Sequence, residues 1–149
     1  MKNKITLLLA TCFYLGYLPL APGTFGSLFG VGLYFLVFPS RFFYGLFLAA
    51  LLVTAIWSAG RAEMIFNRKD DQRIVIDEAL GFLAAVFLLP PTPLYLGLGF
   101  ILFRFMDITK PLGIRKLQYL TGGLGVVADD IGAGLLTNII LQIVVRIVS

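Results

Sequence analysis

Long runs of apolar residues, separated by short polar or helix-breaking segments, dominate the chain. They predict helices over residues 5–18, 25–38, 42–59, 74–89, 94–106 and 126–148. Several runs end at proline and glycine, because proline cannot donate the backbone hydrogen bond that continues a helix. The clearest breaks are residues 19–24 (PLAPGT) and residues 90–93 (PPTP). The pattern predicts an all-α protein with a single domain over residues 1–149.

The lengths of these runs favour a membrane-embedded bundle. A spanning helix needs about 20 residues, so residues 5–18 are too short alone and are predicted to form an N-terminal re-entrant or interfacial half-helix. The runs at 74–89 and 94–106 reach full length only if the polar residues 77–78 and 104–107 belong to the helices. About four spanning helices are therefore expected. Hydrophobic residues make up 59% of the chain and charged residues 13%, which is more apolar surface than so small a core can bury.

The basic residues are distributed unevenly between the predicted loops. With the N-terminus in the cytoplasm and retained, ten of them fall on the cytoplasmic side: Lys2, Lys4, Arg61, Arg68, Lys69, Arg73, Arg104, Lys110, Arg115 and Lys116. Only Arg41 and Arg146 fall outside. Cytoplasmic loops characteristically carry the excess of Lys and Arg. The net charge of +4 is thus explained by topology and anionic lipid, and nucleic acid is not an expected partner.

The absence of certain residue types limits the reactions that this protein could catalyse. There is no histidine and one cysteine, Cys12. A histidine nucleophile, a Ser-His-Asp triad, a histidine-ligated metal and an internal disulfide are therefore excluded. Metal-activated water, or a carboxylate or hydroxyl nucleophile assisted by a metal, remains.

Five of the eight acidic residues stand beside apolar runs: Asp77, Glu78, Asp107, Asp129 and Asp130. Carboxylates near a bilayer are costly, and a bound divalent cation would offset their mutual repulsion. Oxygen ligands select magnesium, calcium or manganese over zinc. The alternative is a set of ordinary helix-end carboxylates, solvated or paired with basic residues.

Two further segments suggest phosphate binding. Arg104, Asp107 and Lys110 are spaced so that cations adjoin a possible metal ligand on one helix; the alternative is an ion-pair ladder. In residues 21–27 (APGTFGS), Thr24 can cap a helix, and Gly23 lets the backbone approach an anion closely. The alternative there is a capped helix break without a ligand.

Small residues follow the acidic ones on two of the predicted helices. They are Gly81, Ala84 and Ala85 on the first, and Gly132, Ala133 and Gly134 on the last. Because small residues let helices approach closely in lipid, their packing would bring the neighbouring carboxylates together.

Four blocks, in this order, resemble the phosphatidylglycerophosphatase A family. They are residues 16–28 (GYLPLAPGTFGSL), 70–81 (DDQRIVIDEALG), 104–111 (RFMDITKP) and 122–134 (GGLGVVADDIGAG). The resemblance implies an all-helical membrane fold and magnesium-dependent hydrolysis of phosphatidylglycerophosphate to phosphatidylglycerol and phosphate. The lipid substrate would remain in a bacterial inner membrane, with the active site of this multi-pass protein facing the cytoplasm.

A mechanism follows as a hypothesis from these residues and this resemblance. The metal-binding set is Asp77, Glu78, Asp107, Asp129 and Asp130, of which Asp77, Glu78, Asp107 and Asp130 are the predicted catalytic residues. The predicted substrate-binding residues are Gly23, Thr24, Ser27, Arg104 and Lys110. Water attack and a phospho-aspartyl intermediate both remain open, as does the oligomeric state.

Two other classes of protein also fit the apolar pattern. One is a small ion transporter or channel subunit, since acidic residues in spans often line ion paths. The other is a non-catalytic membrane assembly protein held by glycine-mediated packing. A conducting path needs polar groups on both sides of the midplane, whereas these acidic residues are predicted to lie on one side.

Overall fold

The computed structural model describes residues 2–148 and contains six α-helices and two short 3-10 turns, with no strand in that range. The helices are α1 (Lys2–Ala10), α2 (Pro22–Val37), α3 (Arg41–Phe66), α4 (Ile76–Val86), α5 (Pro93–Thr109) and α6 (Gly123–Val148); the turns are Leu15–Tyr17 and Ile114–Tyr119. The all-α prediction is confirmed. The side chain of Lys2, predicted to be cytoplasmic, lies outside the described part.

Local chemistry explains where several helices begin and end. Pro22 and Pro93 occupy the first turns of α2 and α5, where the missing N–H costs nothing. The hydroxyl of Thr92 accepts a hydrogen bond from the Tyr95 N–H at the start of α5. At the other end, α5 stops at Lys110, which adopts a left-handed conformation.

Helix α4 is the centre of the bundle. It contacts α2, α3, α5 and α6, and nine of its eleven residues are buried. Its closest neighbour is α6: a Cβ atom on Gly134 would collide with the Gly81 carbonyl, and one on Gly81 would lie 2.8 Å from the Asp130 carbonyl oxygen. Close packing through Gly81 and Gly134 is thus confirmed, whereas Gly132 faces the Ile114–Tyr119 turn.

The molecule has two distinguishable ends. One end brings together Arg41, Pro90 and Val145, which line a shared cavity. The other brings Arg61 and Lys69 beside Gly122, just before α6. Helices α2 to α6 run alternately towards one end and towards the other, so each helix is antiparallel to the next.

The prediction of about four spanning helices is not confirmed. Among the helices of residues 2–148, only α3 and α6, with 26 residues each, are long and apolar enough to cross a membrane by length and composition. Helix α2 has 16 residues and α5 has 17, or about 24–26 Å at 1.5 Å per residue, against a hydrocarbon core of about 30 Å. Helix α4 is shorter still, because Phe87 leaves the helical conformation and Leu88 has a positive φ.

The N-terminal segment also differs from the predicted run over residues 5–18. Helix α1 ends at Ala10, where the Thr11 hydroxyl accepts a hydrogen bond from the Tyr14 N–H. Cys12, Phe13 and Tyr14 then have positive φ, so the chain turns away instead of continuing the helix. The Ala10 carbonyl accepts a hydrogen bond from the Val75 N–H, which joins α1 to the start of α4.

Candidate active site

Three carboxylates meet where α4 begins and α6 passes it. Asp77 and Glu78 lie in the first turn of α4, and Asp130 lies two turns into α6. Each offers an oxygen within 4.8 Å of the others. Asp77 and Asp130 are only 5% and 3% exposed, so these charges face one another with little water to screen them.

These three carboxylates and the neighbouring Asp129 have buried oxygens without a hydrogen-bond donor in the described residues. They are Asp77 Oδ1, Glu78 Oε2, Asp129 Oδ1 and Asp130 Oδ2. A buried acceptor that lacks a donor is costly, and a buried charge more so. A cation satisfies both needs, and its preferred ligands are these oxygens. Asp77, Glu78 and Asp130 therefore fit a divalent metal ion.

Asp107 and Asp129 lie beside this triad but are held by other partners. The Asp107 carboxylate accepts a hydrogen bond from Arg104 Nη1 at 2.5 Å. Asp129 accepts hydrogen bonds from Lys110 Nζ and from Gln118 Nε2. The five predicted ligands thus separate into a triad and two ion-paired neighbours, and the wider metal set stays a prediction.

Lys110 joins the two parts of the site. Its ammonium group pairs with Asp129 and lies 3.7 Å from Asp107 and 3.9 Å from Asp130. Burial would lower the pKa of Lys110, but the negative charges of Asp130, Asp129 and Asp107 outweigh it and raise that pKa. Lys110 is therefore a permanent cation at the edge of the triad.

Helix α2 reaches the site at its first turn. A Cβ atom on Gly23 would lie 2.5 Å from Glu78 Oε1 and 3.1 Å from Arg104 Nη1. The glycine lets the backbone of α2 lie against both a triad carboxylate and the guanidinium group, which an added Cβ would displace. Thr24 is half-buried in the same turn. Ser27 is buried, and its hydroxyl donates a hydrogen bond to the Gly23 carbonyl.

The structure thus brings together residues from all four sequence blocks: Gly23 on α2, Arg104 on α5 with Lys110 directly after it, and the acidic residues on α4, α5 and α6. The substrate-binding roles of Gly23, Thr24, Ser27, Arg104 and Lys110 stay predictions.

Gln118 is a site residue that the sequence analysis missed. Its amide nitrogen lies 2.8 Å from Asp129 Oδ2 and 3.5 Å from Asp70 Oδ2. It belongs to the Ile114–Tyr119 turn, a segment with no helical periodicity. Nothing in its sequence surroundings distinguishes it from a solvated loop glutamine.

An ion pair braces the loop that leads into α4. Asp71 accepts hydrogen bonds from Arg73 Nε at 2.7 Å and Nη2 at 2.9 Å. These bonds lower the pKa of the Asp71 carboxyl below its usual value. The Arg73 guanidinium also lies 3.8 Å from the centre of the Phe66 ring, so the loop is held against the end of α3.

Fold and site together define a class of protein: a helical, membrane-associated protein whose carboxylates can bind a metal ion beside basic side chains. The sequence model described as "Phosphatidylglycerophosphatase A" matches residues 8–145. Since this match covers most of the chain, the chain belongs to the phosphatidylglycerophosphatase A family.

Individual relatives agree with that membership. The chain is 31% identical to phosphatidylglycerophosphatase A of Escherichia coli K12, over 92% of this chain and 81% of that protein. It is 30% identical to phosphatidylglycerophosphatase A of Haemophilus influenzae, over 90% and 85%. It is 35% identical to a Bacteroides thetaiotaomicron protein provisionally named as a phosphatidylinositol-3-phosphatase, over 93% and 92%. No solved structure matches the chain.

Proposed function

We propose that this protein removes the terminal phosphate of phosphatidylglycerophosphate, producing phosphatidylglycerol and inorganic phosphate with Mg²⁺ as cofactor. Membership of the phosphatidylglycerophosphatase A family supports the substrate. The observation that carries the chemistry is the meeting of Asp77, Glu78 and Asp130 within 4.8 Å, beside the Arg104 guanidinium. Phosphoryl transfer needs this combination of metal ligands and phosphate-binding cations.

In this proposal Asp77, Glu78 and Asp130 hold the metal ion, which would polarise the phosphate oxygens and offset their negative charge. Arg104 binds a phosphate oxygen, and Asp107, at 2.5 Å, keeps the guanidinium oriented. Lys110 adds a second positive charge. Gly23 lets the first turn of α2, which also carries Thr24, lie close to Arg104 and Glu78, so that its backbone would border the bound phosphate.

The reaction replaces one phosphorus–oxygen bond by another. The oxygen of a water molecule bonds to phosphorus as the bond to the glycerol oxygen breaks, and the glycerol oxygen leaves as a hydroxyl group after taking up the proton that the water loses. Glu78 or Asp130 would orient the water and accept its proton. Arg104 and Lys110 stabilise the negative charge on the phosphoryl oxygens during the transfer. If a carboxylate attacks instead, rapid acid quenching should trap a phosphorylated protein.

The location proposed is the cytoplasmic face of a bacterial inner membrane, with the chain crossing it several times. The two apolar helices α3 and α6 support membrane association. Acyl chains would then stay in the bilayer while the head group reaches the polar end of the bundle.

A second candidate substrate is phosphatidylinositol 3-phosphate. It is favoured by the relative at 35% identity, whose provisional name refers to that lipid. Both lipids carry a phosphate monoester on a head group that a phosphodiester joins to diacylglycerol, so the site chemistry is the same for both.

The test is phosphate release by the purified protein from a panel of lipid phosphomonoesters, with Mg²⁺ and with EDTA. The proposal predicts highest kcat/KM for phosphatidylglycerophosphate and loss of activity in EDTA that Mg²⁺ restores. Preference for phosphatidylinositol 3-phosphate would select the second candidate. Full activity in EDTA would contradict the metal-binding role of the triad.

A further inference from the structure

Four basic side chains surround a shallow groove next to the candidate active site, and the reaction proposed above uses none of them. They are Arg61, Arg68, Lys69 and Arg115. All four are exposed, and none forms an ion pair with a carboxylate in the part of the chain that the structure describes. The same lining contains two carboxylates, Glu63 and Asp70. Four cations against two carboxylates leave the groove with a net positive charge, which favours a bound anion.

The groove consists of two adjoining cavities that share Lys69. The first, of about 730 Å³, lies along the end of α3 and is lined by Arg61, Arg68 and two apolar side chains, Trp57 and Met64. The second, of about 290 Å³, is lined by Arg115, Asp70 and Gln118. We call the two together the basic groove.

The apolar part of the basic groove belongs to a helix that can cross a membrane. Trp57 and Met64 lie on α3 and are 41% and 74% exposed. The Arg61 guanidinium lies 5.0 Å from the centre of the Trp57 ring. Tryptophan and arginine side by side at the end of an apolar helix are typical of the headgroup level of a bilayer.

The polar end of the basic groove leads to the active site. Gln118 lines the second cavity and donates a hydrogen bond to Asp129, which is paired with Lys110. Gly122 lines the first cavity and immediately precedes α6, the helix that carries Asp129 and Asp130. A molecule lying in the groove therefore has apolar surface at one end and the metal-binding carboxylates beyond the other.

We infer that the basic groove binds the phosphodiester of the lipid substrate. Lys69 and Arg115 contact the phosphodiester oxygens, the acyl chains lie against Trp57 and Met64, and the head group continues past Gln118 to the triad. This inference rests on the proposed function, because it assigns the groove to the same substrate. It explains why the substrate should be a phosphomonoester whose head group carries a second, diester phosphate.

The kinetic test compares two substrates on the Lys69→Ala/Arg115→Ala double variant. One substrate is phosphatidylglycerophosphate, which has both phosphates. The other is phosphatidic acid, which has the monoester but no diester. The inference predicts that KM for phosphatidylglycerophosphate rises about tenfold, as loss of two charge-assisted contacts should cause. Both kcat and the KM for phosphatidic acid should stay within about twofold of wild type.

Lys116→Ala is the matched control. Lys116 belongs to the same turn as Arg115 and is exposed, but it does not line the groove. Its removal lowers the net charge without touching the proposed contact. An equal rise in KM for both substrates, or the same rise in Lys116→Ala, would show a general attraction to anionic membranes and overturn the inference.

A binding test separates this inference from the proposed function, because it needs no turnover. Trp57 is the only tryptophan in the chain, so its fluorescence reports on the groove. Brominated phosphatidylglycerol in mixed micelles should quench Trp57 more strongly than brominated diacylglycerol, which has the same acyl chains and no phosphodiester. The preference should disappear in the double variant and persist in Lys116→Ala. Equal quenching of the wild type by both lipids would overturn the inference even if the enzyme is active.

Discussion

Asp77 on α4 and Asp130 on α6 are buried carboxylates that face each other. Each has an oxygen without a hydrogen-bond donor in the described residues. Replacing either by asparagine keeps the size but removes a charge and a ligand. Asp77→Asn and Asp130→Asn should each lower turnover by about a hundredfold or more. Because the change also relieves repulsion, Tm in EDTA should be unchanged or higher than in wild type.

The same pair of variants yields a second readout. If the triad binds the metal ion, adding Mg²⁺ should raise the Tm of wild type and not of the variants, since a ligand stabilises only a protein that binds it. Arg41→Ala, at the opposite end of the molecule, is the control and should keep the Mg²⁺-dependent rise. Variants that retain this rise would contradict the assignment.

Gln118 is expected to be a positioning residue, because it contacts Asp129 and not the triad. In Gln118→Leu, Asp129 keeps Lys110 but loses the 2.8 Å hydrogen bond from the amide. The Mg²⁺ concentration for half-maximal activity should rise about tenfold, the lower end of the range of about 10–100-fold typical when an outer partner of a metal site is lost. A titration of activity against Mg²⁺ measures this. An unchanged midpoint would assign Gln118 to packing alone.

At the scale of single residues, the sequence predicts contacts within one helix better than contacts between helices. Arg104 and Asp107 are three residues apart, and helical geometry alone predicts their ion pair. The pair between Lys110 and Asp129 spans 19 residues, and it depends on how α5 and α6 pack. No local pattern could have selected Asp129 over its neighbour Asp130 as the partner of Lys110.

At the scale of elements, the α4–α6 crossing positions the triad. Gly134→Val would place side-chain atoms against the Gly81 carbonyl and force the helices apart, at a cost of about 1–3 kcal/mol. Both Tm and activity should fall. Gly97→Ala on α5 is the control, since a Cβ there meets no atom within 4 Å and alanine favours helix. Wild-type Tm and activity in Gly134→Val would contradict the crossing.

The loop before α4 should make stability depend on pH. The pKa of Asp71 is lowered in the folded protein by the hydrogen bonds from Arg73, so the folded state releases this proton at lower pH than the unfolded chain. The contribution is therefore fully present above the unfolded pKa of about 3.9 and is lost as pH falls through the folded pKa. Because Arg73 is partly exposed, about 1 kcal/mol is expected.

The measurement compares the Tm of wild type and Asp71→Asn at several pH values. The variant should unfold a few degrees lower at pH 7, and the difference should shrink as the pH approaches and passes below about 4. Asp70→Asn tests the specificity, since Asp70 makes no ion pair in the described residues. Burial raises the pKa of Asp70, so its replacement should not lower Tm at pH 7. A constant difference across this range would exclude the Asp71–Arg73 pair as its source.

Helix boundaries were predictable where proline chemistry sets them and not where tertiary contacts do. Pro93 and the positive φ of Lys110 enclose α5 close to the predicted run. Helix α1 stops at Ala10 although apolar residues continue, because Thr11 caps the turn and the Ala10 carbonyl bonds to Val75. A hydropathy pattern contains no information about a backbone carbonyl that accepts a hydrogen bond from a residue far along the chain.

At the scale of the whole molecule, the positions of the cations relate the fold to a membrane. Arg41 lies at one end, and Arg61 with Lys69 lies at the other, next to the site. This separation agrees with the charge pattern from which the cytoplasmic orientation was predicted. Between the ends, large apolar side chains such as Phe35, Val53 and Ile101 are 58–69% exposed, which is typical of a surface that lipid covers.

The orientation can be tested with single cysteines at the two ends of α3 and α6. Pro39→Cys precedes α3 at the Arg41 end, and Thr121→Cys precedes α6 at the site end; both positions are exposed. Cys12 is buried, so the wild-type chain should react little with a maleimide that cannot cross membranes. In intact cells with a permeable outer membrane, Pro39→Cys should react and Thr121→Cys should react only after the inner membrane is opened. Labelling of both positions from the same side would contradict this orientation, because it requires an even number of crossings between residues 39 and 121, whereas the proposed arrangement places the two positions on opposite sides.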